Sequence, residues 1–496
     1  MKRFFLISLL VLTAASAALY WTLPGQQTSE PVLYWVTQND PVKRDTIVAF
    51  REWLAQHGRP LVDVRIDNTG QVKNGTTGQP KALIQGASGM GGDLIDVYIN
   101  QMELFQATGM LTDVTDVARA RGFSVDETYP AVLTDLLLQG RQYGFPRNVD
   151  VTMCWVNRDT FARYGIPEPP TRWSLDQFEE LGRRFVAAAN PPGSRNRVFF
   201  INRIWTPTLR RGVGLSTFNE TLTRCTLDDP RYIELLKRIY RWTVQDRLLP
   251  TQQEQEALAA DATGWDSSFS LFAAGRFGII YEGLWALIRL RPKGDLRLGA
   301  VEPFSGGFPN TELGSGVVAI YTGTPHREEA LSFLEFLASE PFNLLIARSS
   351  DSLPPIPRFA QTDAYLRPPG HANEAEVKGI FARGGREIGI AQSKSPFVLP
   401  SIVFRVDTEA VEAMLADRMT AAEAAHSTAD RVNAEIALRV KQDPDLRRLY
   451  DERMEIQRKI DARRAAGQPV PAAWLFDPFA LAYYRARGWV EKEAAP

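Results

Sequence analysis

The feature that most constrains this chain is an alternation of short apolar runs with longer segments whose apolar residues recur at helical spacing. Residues 32–36 form a short apolar run, and the apolar residues between 47 and 54 follow at the spacing of one helix face. Residues 62–66 alternate in polarity like a strand, and 94–99 form another apolar run. Strands that alternate with helices build βαβ units, so the pattern predicts an α/β protein with a mostly parallel sheet.

Polar residues follow the first and third of these strands. In open α/β sheets the ligand lies beyond the carboxyl ends of the strands. The residues at those ends are Gln38, Asn39 and Asp40 after the first strand, and Asn100 and Gln101 after the third. We therefore predict that these five side chains take part in ligand binding.

A second alternating region follows in the middle of the chain. Residues 152–156 are typical of a strand, and a helix is predicted over 175–189 with Ser174 as its N-cap. A chain of 496 residues is too long for one core, and about 150 residues per domain predicts two or three lobes. Further strands are predicted at 199–204, 277–281 and 317–321.

The first 25 residues have the pattern of a secretory signal or a membrane anchor. Lys2 and Arg3 precede an uncharged apolar run at 4–23, and Ala-Ser-Ala at 15–17 suits a signal peptidase. We favour cleavage after Ala17, but the run is also about as long as a membrane span, so an uncleaved anchor is the alternative. Either interpretation places the rest of the chain outside the cytoplasm, in the periplasm or an equivalent extracytoplasmic space.

Charge and residue counts exclude several classes of function. The 57 basic and 58 acidic residues leave a net charge of −1, whereas proteins that bind nucleic acid normally have a clear basic excess. Two cysteines and four scattered histidines form no pattern of metal ligands, so we expect no metal and no cofactor. Cys154 is predicted to be a buried free thiol, although outside the cytoplasm Cys154 and Cys225 could form a disulfide.

The sequence contains no motif that requires catalysis. The glycines at 86–92 lack the Gly-Lys-Ser/Thr ending of a phosphate-binding loop, and no Gly-x-Ser-x-Gly elbow occurs. We therefore expect no catalytic residues and a protein that is not an enzyme. Among 58 acidic residues, however, a pair of carboxylates that flanks a glycosidic bond stays open as an alternative.

Aromatic residues favour a carbohydrate as the ligand. Sugar rings present C–H-rich faces that stack on aromatic rings, and their hydroxyl groups need side chains that both donate and accept hydrogen bonds. Trp35 and Trp155 lie inside predicted strands and are expected in the core. Trp205 and Trp285 follow strand-like runs at loops, and we predict that they line a ligand cleft.

The C-terminal segment 444–496 is predicted to be a helical extension. Residues 445–465 are charged and helical in pattern, with a narrow apolar stripe that includes Leu446 and Leu449, and Gly467 ends the helix. We expect this helix to lie on the body of the protein with its charges in solvent. The alternative is a docking helix for a partner.

Several segments, in chain order, resemble one known family. They are GDLIDV at 92–97, YGFP at 143–146, CWVNRDTF at 154–161, GIPEPPTRWS at 165–174, FAAGRFGI at 272–279, GLW at 283–285, EEALSFLEFL at 328–337 and TAAEA at 420–424. Together they are similar to the pattern of the extracellular sugar-binding proteins of ABC importers, the family 1 solute-binding proteins. The resemblance covers about residues 31–440, so the C-terminal extension lies beyond it.

The resemblance implies a fold of the periplasmic-binding-protein type II kind, with two α/β lobes that close over a ligand by hinge bending. One lobe would comprise residues 31–146 and 310–350, and the other 147–305 and 351–443. The C-terminal helical extension, 444–496, is added to them. The chain would cross between the lobes near 144–150, 305–314 and 348–357.

The resemblance also implies where the ligand binds. Asp150 matches a carboxylate position that binds sugar, and Trp285 matches the tryptophan that stacks on it. The other matching positions are Asn39, Asp40, Asn100 and Gln101 in polar loops, and Gly314 and Ser315 in a glycine-rich strand.

The function that the resemblance implies is solute capture for import. The protein would bind a mono- or oligosaccharide between its lobes, as a monomer, and deliver it to the transmembrane subunits of an ABC permease. Two alternatives stay open. One is a secreted glycoside hydrolase that uses two carboxylates, and the other is a membrane-anchored sugar sensor or scaffold that signals through the helix at 445–465.

Overall fold

A computed structural model describes Thr13 and residues 30–68, 79–89, 91–194, 196–260 and 267–491. The predicted signal or anchor at 1–25 lies outside the described residues except for Thr13. Within the described ranges, strands and helices alternate along the chain, which confirms the predicted α/β class.

The elements have the following bounds. The strands are β1 (Val32–Val36), β2 (Asp63–Asp67), β3 (Leu94–Tyr98), β4 (Leu137–Leu138), β5 (Arg141–Gln142), β6 (Gly144–Pro146), β7 (Asp150–Asn157), β8 (Phe199–Ile201), β9 (Phe277–Gly283), β10 (Leu298–Val301), β11 (Thr311–Gly314), β12 (Gly316–Ile320) and β13 (Gly389–Ile390). The α-helices are α1 (Pro41–Gln56), α2 (Gln79–Ala87), α3 (Met102–Ala107), α4 (Thr115–Arg121), α5 (Pro130–Leu136), α6 (Arg158–Arg163), α7 (Leu175–Ala189), α8 (Thr206–Gly212), α9 (Pro230–Tyr240), α10 (Gln252–Ala260), α11 (Ser267–Ala273), α12 (Ala286–Leu290), α13 (Arg327–Ala338), α14 (Glu340–Ser349), α15 (Asp363–Leu366), α16 (Ala375–Glu387), α17 (Pro400–Leu415), α18 (Ala421–Gln442), α19 (Pro444–Ala465) and α20 (Pro478–Arg487).

Local side-chain chemistry explains where some of these elements begin and end. α7 has its predicted bounds because Ser174 and Gln177 form a capping box, in which each side chain accepts a hydrogen bond from the other's backbone N–H (3.1 and 2.8 Å). β8 is shorter than the predicted strand at 199–204. Its end is set by Asn202, whose side-chain oxygen accepts a hydrogen bond from the backbone N–H of Tyr281 on β9 (2.9 Å).

The first sheet has the strand order β2-β1-β3-β12-β6. β1 is parallel to both of its neighbours, and β12 is antiparallel to β3 and β6. The core of this first lobe contains Trp35, as predicted; it is 1% exposed and meets Phe333 edge to face at 5.2 Å between ring centroids.

Two helices of the first lobe together have the length and apolar composition of a membrane span, although neither helix has them alone. In the described part of the chain, no single helix is long and apolar enough to cross a membrane. α13 and α14 reach that length and composition together, with a bend of 61° between them. Their residues Phe333, Phe336 and Phe342 are buried in the core of the first lobe.

The second sheet has the order β13-β11-β7-β9-β8, with β10 also paired to β7. β7 is antiparallel to β9, β10 and β11, and β8 is parallel to β9. Trp155 on β7 is fully buried, as predicted. In the core on the opposite face of the sheet, Phe178 and Phe304 stack with ring centroids 3.8 Å apart.

Both cysteines are free and buried in the second lobe. This confirms the prediction for Cys154 and means that Cys154 and Cys225 form no disulfide here. Burial raises the pKa of Cys225 to about 12 and also raises the pKa of Cys154. Both thiols therefore stay protonated at neutral pH.

The chain passes between the sheets at three places. β6 ends at Pro146 in the first sheet, and β7 begins at Asp150 in the second. The second crossing is Ser315 alone, because β11 pairs with β7 while β12 pairs with β3 and β6. The chain returns after α14, where reciprocal backbone hydrogen bonds between Val149 and Leu353 (2.9 and 3.0 Å) hold it beside the first crossing.

The second crossing differs from the predicted one, which lay within 305–314 and assigned residues from 310 onward to the first lobe. Thr311–Gly314 belongs to the second sheet instead. Only one residue separates β11 from β12, so no turn or break in the sequence marks the passage. The Ser315 hydroxyl donates to the carbonyl oxygen of Asn148 (2.7 Å), which joins the first two crossings.

The C-terminal extension, described as far as residue 491, lies on the second lobe as predicted. Leu446 and Leu449 of α19 pack against the second-lobe core. Farther along, Ile460 of α19 and Tyr484 of α20 share a small core within the extension. Asp443 caps α19 by accepting hydrogen bonds from two backbone N–H groups (2.9 and 3.1 Å).

Candidate functional site

The carboxyl ends of strands from both sheets meet at the crossings. Tyr98, the last residue of β3, pairs with Gly316, which directly follows the crossing at Ser315. Gly283, the last residue of β9, pairs with Thr152 near the start of β7. Since ligands of α/β sheets bind beyond the carboxyl ends of strands, the cleft between the lobes beside these crossings is the candidate site.

β7 and β11 form the floor of this cleft. Asp150 and Thr152 on β7, and Glu312 and Gly314 on β11, are partly exposed, whereas the residues between them are buried. Because side chains alternate along a strand, each of these pairs lies on one face of the sheet. The floor therefore presents two carboxylates, one hydroxyl and the bare backbone of a glycine.

Asp96 has two hydrogen-bond donors and one cation around its carboxylate on the first-lobe side of the crossings. Its Oδ1 accepts a hydrogen bond from Trp35 Nε1 (3.0 Å), and its Oδ2 accepts one from the Thr37 hydroxyl. Arg147 Nε lies 3.1 Å from the same Oδ2. The guanidinium of Arg147 lies so close to Gly316 that a Cβ there would come within 2.5 Å of it, which explains the glycine at this crossing.

A second group of charges lies near the return crossing. Lys43 is buried and pairs with Asp40, with 2.7 Å between Nζ and Oδ2. Burial raises the pKa of Asp351, and the positive charges of Lys43 and Arg147 oppose that rise. On this side of the cleft, charged side chains therefore compensate one another.

The predicted residues after β1 have different environments. Gln38 and Asn39 are exposed, and Asn39 Oδ1 accepts a hydrogen bond from Arg44 (2.8 Å). Asp40 caps α1 by accepting a hydrogen bond from the backbone N–H of Lys43 (2.9 Å). The carboxylate of Asp40 is thus engaged by the helix and by Lys43.

The predicted residues after β3 lie in a 3₁₀ turn, Ile99–Gln101, which reaches the crossing. The backbone N–H of Ile99 donates to the carbonyl oxygen of Ser315 (3.1 Å). The side chain of Asn100 lies outside the description. Gln101 is half-buried, and its Oε1 is buried without a hydrogen-bond partner.

Asp150, Gly314 and Ser315 all lie at the crossings, and they differ in what they offer a ligand. Asp150 and Gly314 are on the cleft floor, where Asp150 accepts a hydrogen bond from the Ser352 hydroxyl. Ser315 is buried, and its hydroxyl is used by Asn148. The hydroxyl of Ser315 therefore forms a hydrogen bond within the hinge, and its predicted contact with a ligand stays a prediction.

Trp205 and Trp285 follow β8 and β9 and are both half-buried. Trp205 stacks on the exposed ring of Phe404, with 6.0 Å between centroids and 30° between planes. Trp285 meets Phe269 edge to face at 5.3 Å and packs against Gly283. Each indole therefore keeps part of its surface exposed at the carboxyl end of a strand.

Sequence reasoning missed Tyr98 and several charged residues as members of the site. Tyr98 is 48% exposed, and its position as the last residue of an alternating strand was the available signal. Arg211, Glu312 and Lys394 come from α8, β11 and the segment after β13. No local sequence pattern connects these three residues, which only the tertiary structure brings together.

The groups at the crossings are able to form hydrogen bonds and stacking contacts. Among the residues that the structure describes, no group of three or more His, Cys, Asp or Glu side chains is arranged to hold a metal ion. Partly exposed aromatic rings at the carboxyl ends of strands in both sheets, together with the hydroxyl, amide and carboxylate groups near the crossings, have the chemistry to hold a polar solute.

A family model matches more than half of the chain. The bacterial extracellular solute-binding protein family matches residues 48–342, which include β2 to β12 and the first two crossings between the sheets. The chain belongs to this family. Membership confirms the resemblance and places this solute-binding protein outside the cytoplasm. No curated protein matches the sequence.

Solved structures of other solute-binding proteins have the same fold. The ABC substrate-binding protein Lmo0181 from Listeria monocytogenes, in complex with cycloalternan, has a TM-score of 0.67 at 16% identity, covering 82% of this chain and 99% of that one. A solute-binding protein from Thermotoga lettingae bound with α-D-tagatose has a TM-score of 0.65 at 14% identity, covering 82% and 100%. The sugar-binding protein MalE from Xanthomonas citri has 0.65 at 15%, covering 82% and 98%. These likenesses confirm the periplasmic-binding-protein type II-like fold with two lobes.

Proposed function

We propose that this solute-binding protein captures a carbohydrate between its two lobes and delivers it to the transmembrane subunits of an ABC permease. The observation that carries the proposal is the combination of partly exposed aromatic side chains at the carboxyl ends of strands with hydrogen-bonding groups at the crossings. Tyr98 stands at the end of β3, and Trp205 and Trp285 stand after β8 and β9. Family membership supports solute capture, and the neighbours' cycloalternan and tagatose support a sugar.

The proposed roles follow the chemistry of each group. Tyr98, Trp205 and Trp285 stack on sugar rings, at about 0.5–1.5 kcal/mol per aromatic pair beyond area burial. Gln101 and Asp150 accept hydrogen bonds from sugar hydroxyls. No bond of the solute is made or broken, so the protein acts as a binder and not as a glycoside hydrolase.

Closure would occur by rotation of the lobes about the crossings. We place the first lobe at 31–146 and 316–350, and the second at 150–314 and 351–443. Residues 147–149 and Ser315 then form the hinge, joined by the hydrogen bond between Ser315 and Asn148. A solute that contacts both lobes favours the closed arrangement by its differential affinity for that arrangement.

The N-terminal segment is proposed to direct secretion. Residues 1–25 include the predicted cleavage site after Ala17, and the mature protein is proposed to work as a monomer. The intact mass of the exported protein distinguishes cleavage from anchoring. A mass that retains the first 17 residues, together with membrane association, would support the uncleaved anchor instead.

The proposed function is tested by titration of two matched tyrosine variants. Tyr98 and Tyr34 are each 48% exposed and lie on neighbouring strands, β3 and β1, but only Tyr98 stands at a crossing. Maltose, maltotetraose, cycloalternan and tagatose are the probes. A bound probe at 100 times its dissociation constant stabilises the fold by about 2.7 kcal/mol, which thermal melting detects.

We expect Tyr98→Ala to weaken binding of the best probe about twofold to tenfold, because one stacking face is lost. Tyr34→Ala should bind like the wild type. Chromatography of each bound probe should show no product, which separates a binder from a hydrolase. Absence of binding by the wild type, or equal affinities in the two variants, would overturn the assignment.

A further inference from the structure

Five buried polar atoms that lack hydrogen-bond partners belong to residues on segments that contact Arg211, Ser393 or Lys394. They are Gln101 Oε1, Asp135 Oδ2, Arg211 Nη1, Glu312 Oε2 and Asp477 Oδ2. Buried polar groups in folded proteins nearly always have partners, so unpartnered ones point to a missing water, ion or ligand. These residues come from three parts of the chain, namely the first lobe, the second lobe and the C-terminal extension.

Arg211, at the end of α8, is the centre of the group. Its Nη2 donates to the carbonyl oxygen of Ala391 (3.0 Å), and its Nη1 lies 3.7 Å from Glu312 Oε2. The second distance is an ionic contact that is too long for a hydrogen bond. The segment that Arg211 contacts at Ala391 also binds both carboxyls, because Ser393 donates to Asp477 (2.6 Å) and Lys394 donates to Asp135 (2.6 Å).

Lys394 joins the group to the first lobe. Its Nζ donates to Asp135 Oδ1 (2.6 Å) and to the carbonyl oxygen of Ile99 (3.0 Å). Asp135 belongs to α5, and Ile99 opens the turn that contains Gln101, whereas Lys394 follows β13 of the second sheet. The group therefore extends from the first lobe to Glu312 on the cleft floor.

Asp477 brings the C-terminal extension to the same place. The residue is 0% exposed, and its Oδ1 accepts hydrogen bonds from the Ser393 hydroxyl (2.6 Å) and the backbone N–H of Phe479 (3.2 Å). Ser393 is the neighbour of Lys394. The Oδ1 atom thus caps α20 and holds the Lys394 segment, while Oδ2 has no partner.

The group has more acceptors than donors. Four of the five unpartnered atoms are side-chain oxygens of Gln, Asp and Glu, and one belongs to the donor Arg211. The carboxylates of Asp135, Glu312 and Asp477 face two cations, Arg211 and Lys394. A ligand that forms hydrogen bonds with these oxygens must supply donors, as hydroxyl and ammonium groups do. An anionic ligand would be repelled by the carboxylates.

We propose that this group is a subsite for the hydroxyl- or amino-bearing end of the solute, and that Asp477 of the C-terminal extension is one of its binding residues. The subsite selects neutral and amino sugars against acidic sugars. This inference rests on the proposed function, because it names the class of carbohydrate that the same cleft holds. It also gives the extension, which lies beyond the family resemblance, a part in ligand recognition.

The test is a titration of the full chain with charge-matched sugars. The neutral probes are glucose, maltose and tagatose, the cationic probe is glucosamine, and the acidic probes are glucuronate and glucose 6-phosphate. Asp477→Asn keeps the Oδ1 acceptor that caps α20 and removes the charge and the Oδ2 atom. Asp443→Asn, at the exposed N-cap that precedes α19 of the extension, is the control.

We expect the wild type to bind a neutral or cationic probe at least tenfold more tightly than the acidic probes. Asp477→Asn should weaken the binding of that probe about tenfold and should not weaken the binding of the acidic probes. The ratio between the two affinities should therefore become smaller. Asp443→Asn should keep both the affinity and the discrimination. A merely structural role for Asp477 would change all probes alike.

The outcomes separate this inference from the proposed function. If the wild type binds no probe, both fail. If it binds a sugar with unchanged discrimination in Asp477→Asn, only the subsite fails, and the unpartnered atoms hold ordered water. Preference of the wild type for an acidic probe also overturns the subsite alone. Should Asp477→Asn not fold, Glu312→Gln removes another unpartnered carboxylate. It must then reduce the ratio of the affinity for the neutral or cationic probe to the affinity for the acidic probes in the same way.

Discussion

Two buried aspartates illustrate opposite consequences of burial at the residue scale. Asp96 accepts hydrogen bonds from Trp35 and Thr37 and pairs with the charge of Arg147, so it has little capacity left for a ligand. Asp477 is more deeply buried, at 0% exposure, and leaves one oxygen without a donor. A satisfied buried carboxylate stabilises the framework, whereas an unsatisfied one carries a desolvation cost that a ligand can remove.

Lys378 provides a prediction about pH. It is fully buried on α16, donates to the carbonyl oxygen of Ala347 (3.3 Å) and lies 4.8 Å from the centre of the Tyr365 ring. Burial lowers its pKa to about 8, while Glu374 partly opposes the shift. Between pH 8 and the ordinary lysine pKa the unfolded chain binds a proton that the folded chain lacks, so stability rises with pH across that window.

Lys378→Met removes the charge and therefore this pH dependence. We expect the melting temperature of the variant, relative to the wild type, to be highest near pH 7 and to fall as the pH rises from 8 to 10. Thermal unfolding at several pH values measures it. Lys237→Met, at an exposed lysine of α9, is the control and should give a flat difference. A flat difference for Lys378→Met would contradict the assignment.

At this scale the sequence predicts which aromatic residues are buried. Trp35 and Trp155 were correctly predicted as core residues because each lies inside a short apolar strand. The ligand contacts of Ser315 and Asp40 stay predictions, and in this structure their side chains are engaged by a hinge carbonyl and by a helix N-terminus. The partners of a polar side chain are set by tertiary contacts, and no spacing in the sequence reports them.

Elements near the crossings are packed so closely that single methyl groups matter. β6 and β12 approach each other at Gly144, where a Cβ would collide with the carbonyl oxygen of Val318. A backbone atom in a central strand cannot move aside as a flexible side chain can. Gly379, inside α16, has no atom within 4 Å of its equivalent Cβ position.

Alanine at these two glycines should therefore have opposite effects. Gly144→Ala is expected to lower the free energy of unfolding by about 1–3 kcal/mol through overpacking. Gly379→Ala is expected to raise it by about 0.5–1 kcal/mol, because alanine in an open helix position reduces the entropy of the unfolded chain. Denaturant unfolding measures the free energy of unfolding of both variants. Changes of the same sign in the two variants would contradict the packing described.

Element prediction succeeded where the ends of elements carry local signals. β1 and α7 have their predicted bounds, and Ser174 marks the start of α7 with a capping box. The end of β11 could not be found in this way. It continues into β12 after one residue, and only the hydrogen-bond partners of the two strands assign them to different sheets.

For the whole molecule, the C-terminal extension covers part of the second lobe. Leu446, Leu449 and Tyr450 pack against the second-lobe core, and Tyr450 meets Phe397 edge to face at 5.2 Å. Deletion of residues 444–496 would expose the apolar surface beneath them. We expect the truncated protein to melt at a lower temperature and to bind more of a hydrophobic dye than the full chain.

A variant at the N-cap of α19 is the milder control for this deletion. Asp443→Ala keeps the extension but removes the cap of α19, which should cost about 1 kcal/mol without dye binding. Calorimetry and dye fluorescence measure both proteins. An unchanged melting temperature after deletion would show that the extension contributes nothing to the stability of the second lobe.

The two-lobe architecture and the extension were both predicted from the chain, the first by family resemblance and the second by the helical pattern after residue 443. The participation of Asp477 in the group around Arg211 was not predicted. Asp477 reaches this group through Ser393, which lies 84 residues earlier in the chain, and the contact depends on how the extension folds back over the second lobe. Such a contact has no local cause that a sequence displays.

The position of β12 has a consequence for the order of events during export. The first sheet needs this strand between β3 and β6, yet β12 follows the whole second-lobe segment of β7 to β11 in the chain. At about 5–20 residues per second, synthesis reaches it on the order of ten seconds or more after β6. Until then no strand pairs with β3 and β6 on their facing edges, so the first sheet cannot be completed. Under the secretion proposed for residues 1–25, this delay would help to keep the chain unfolded until it has crossed the membrane.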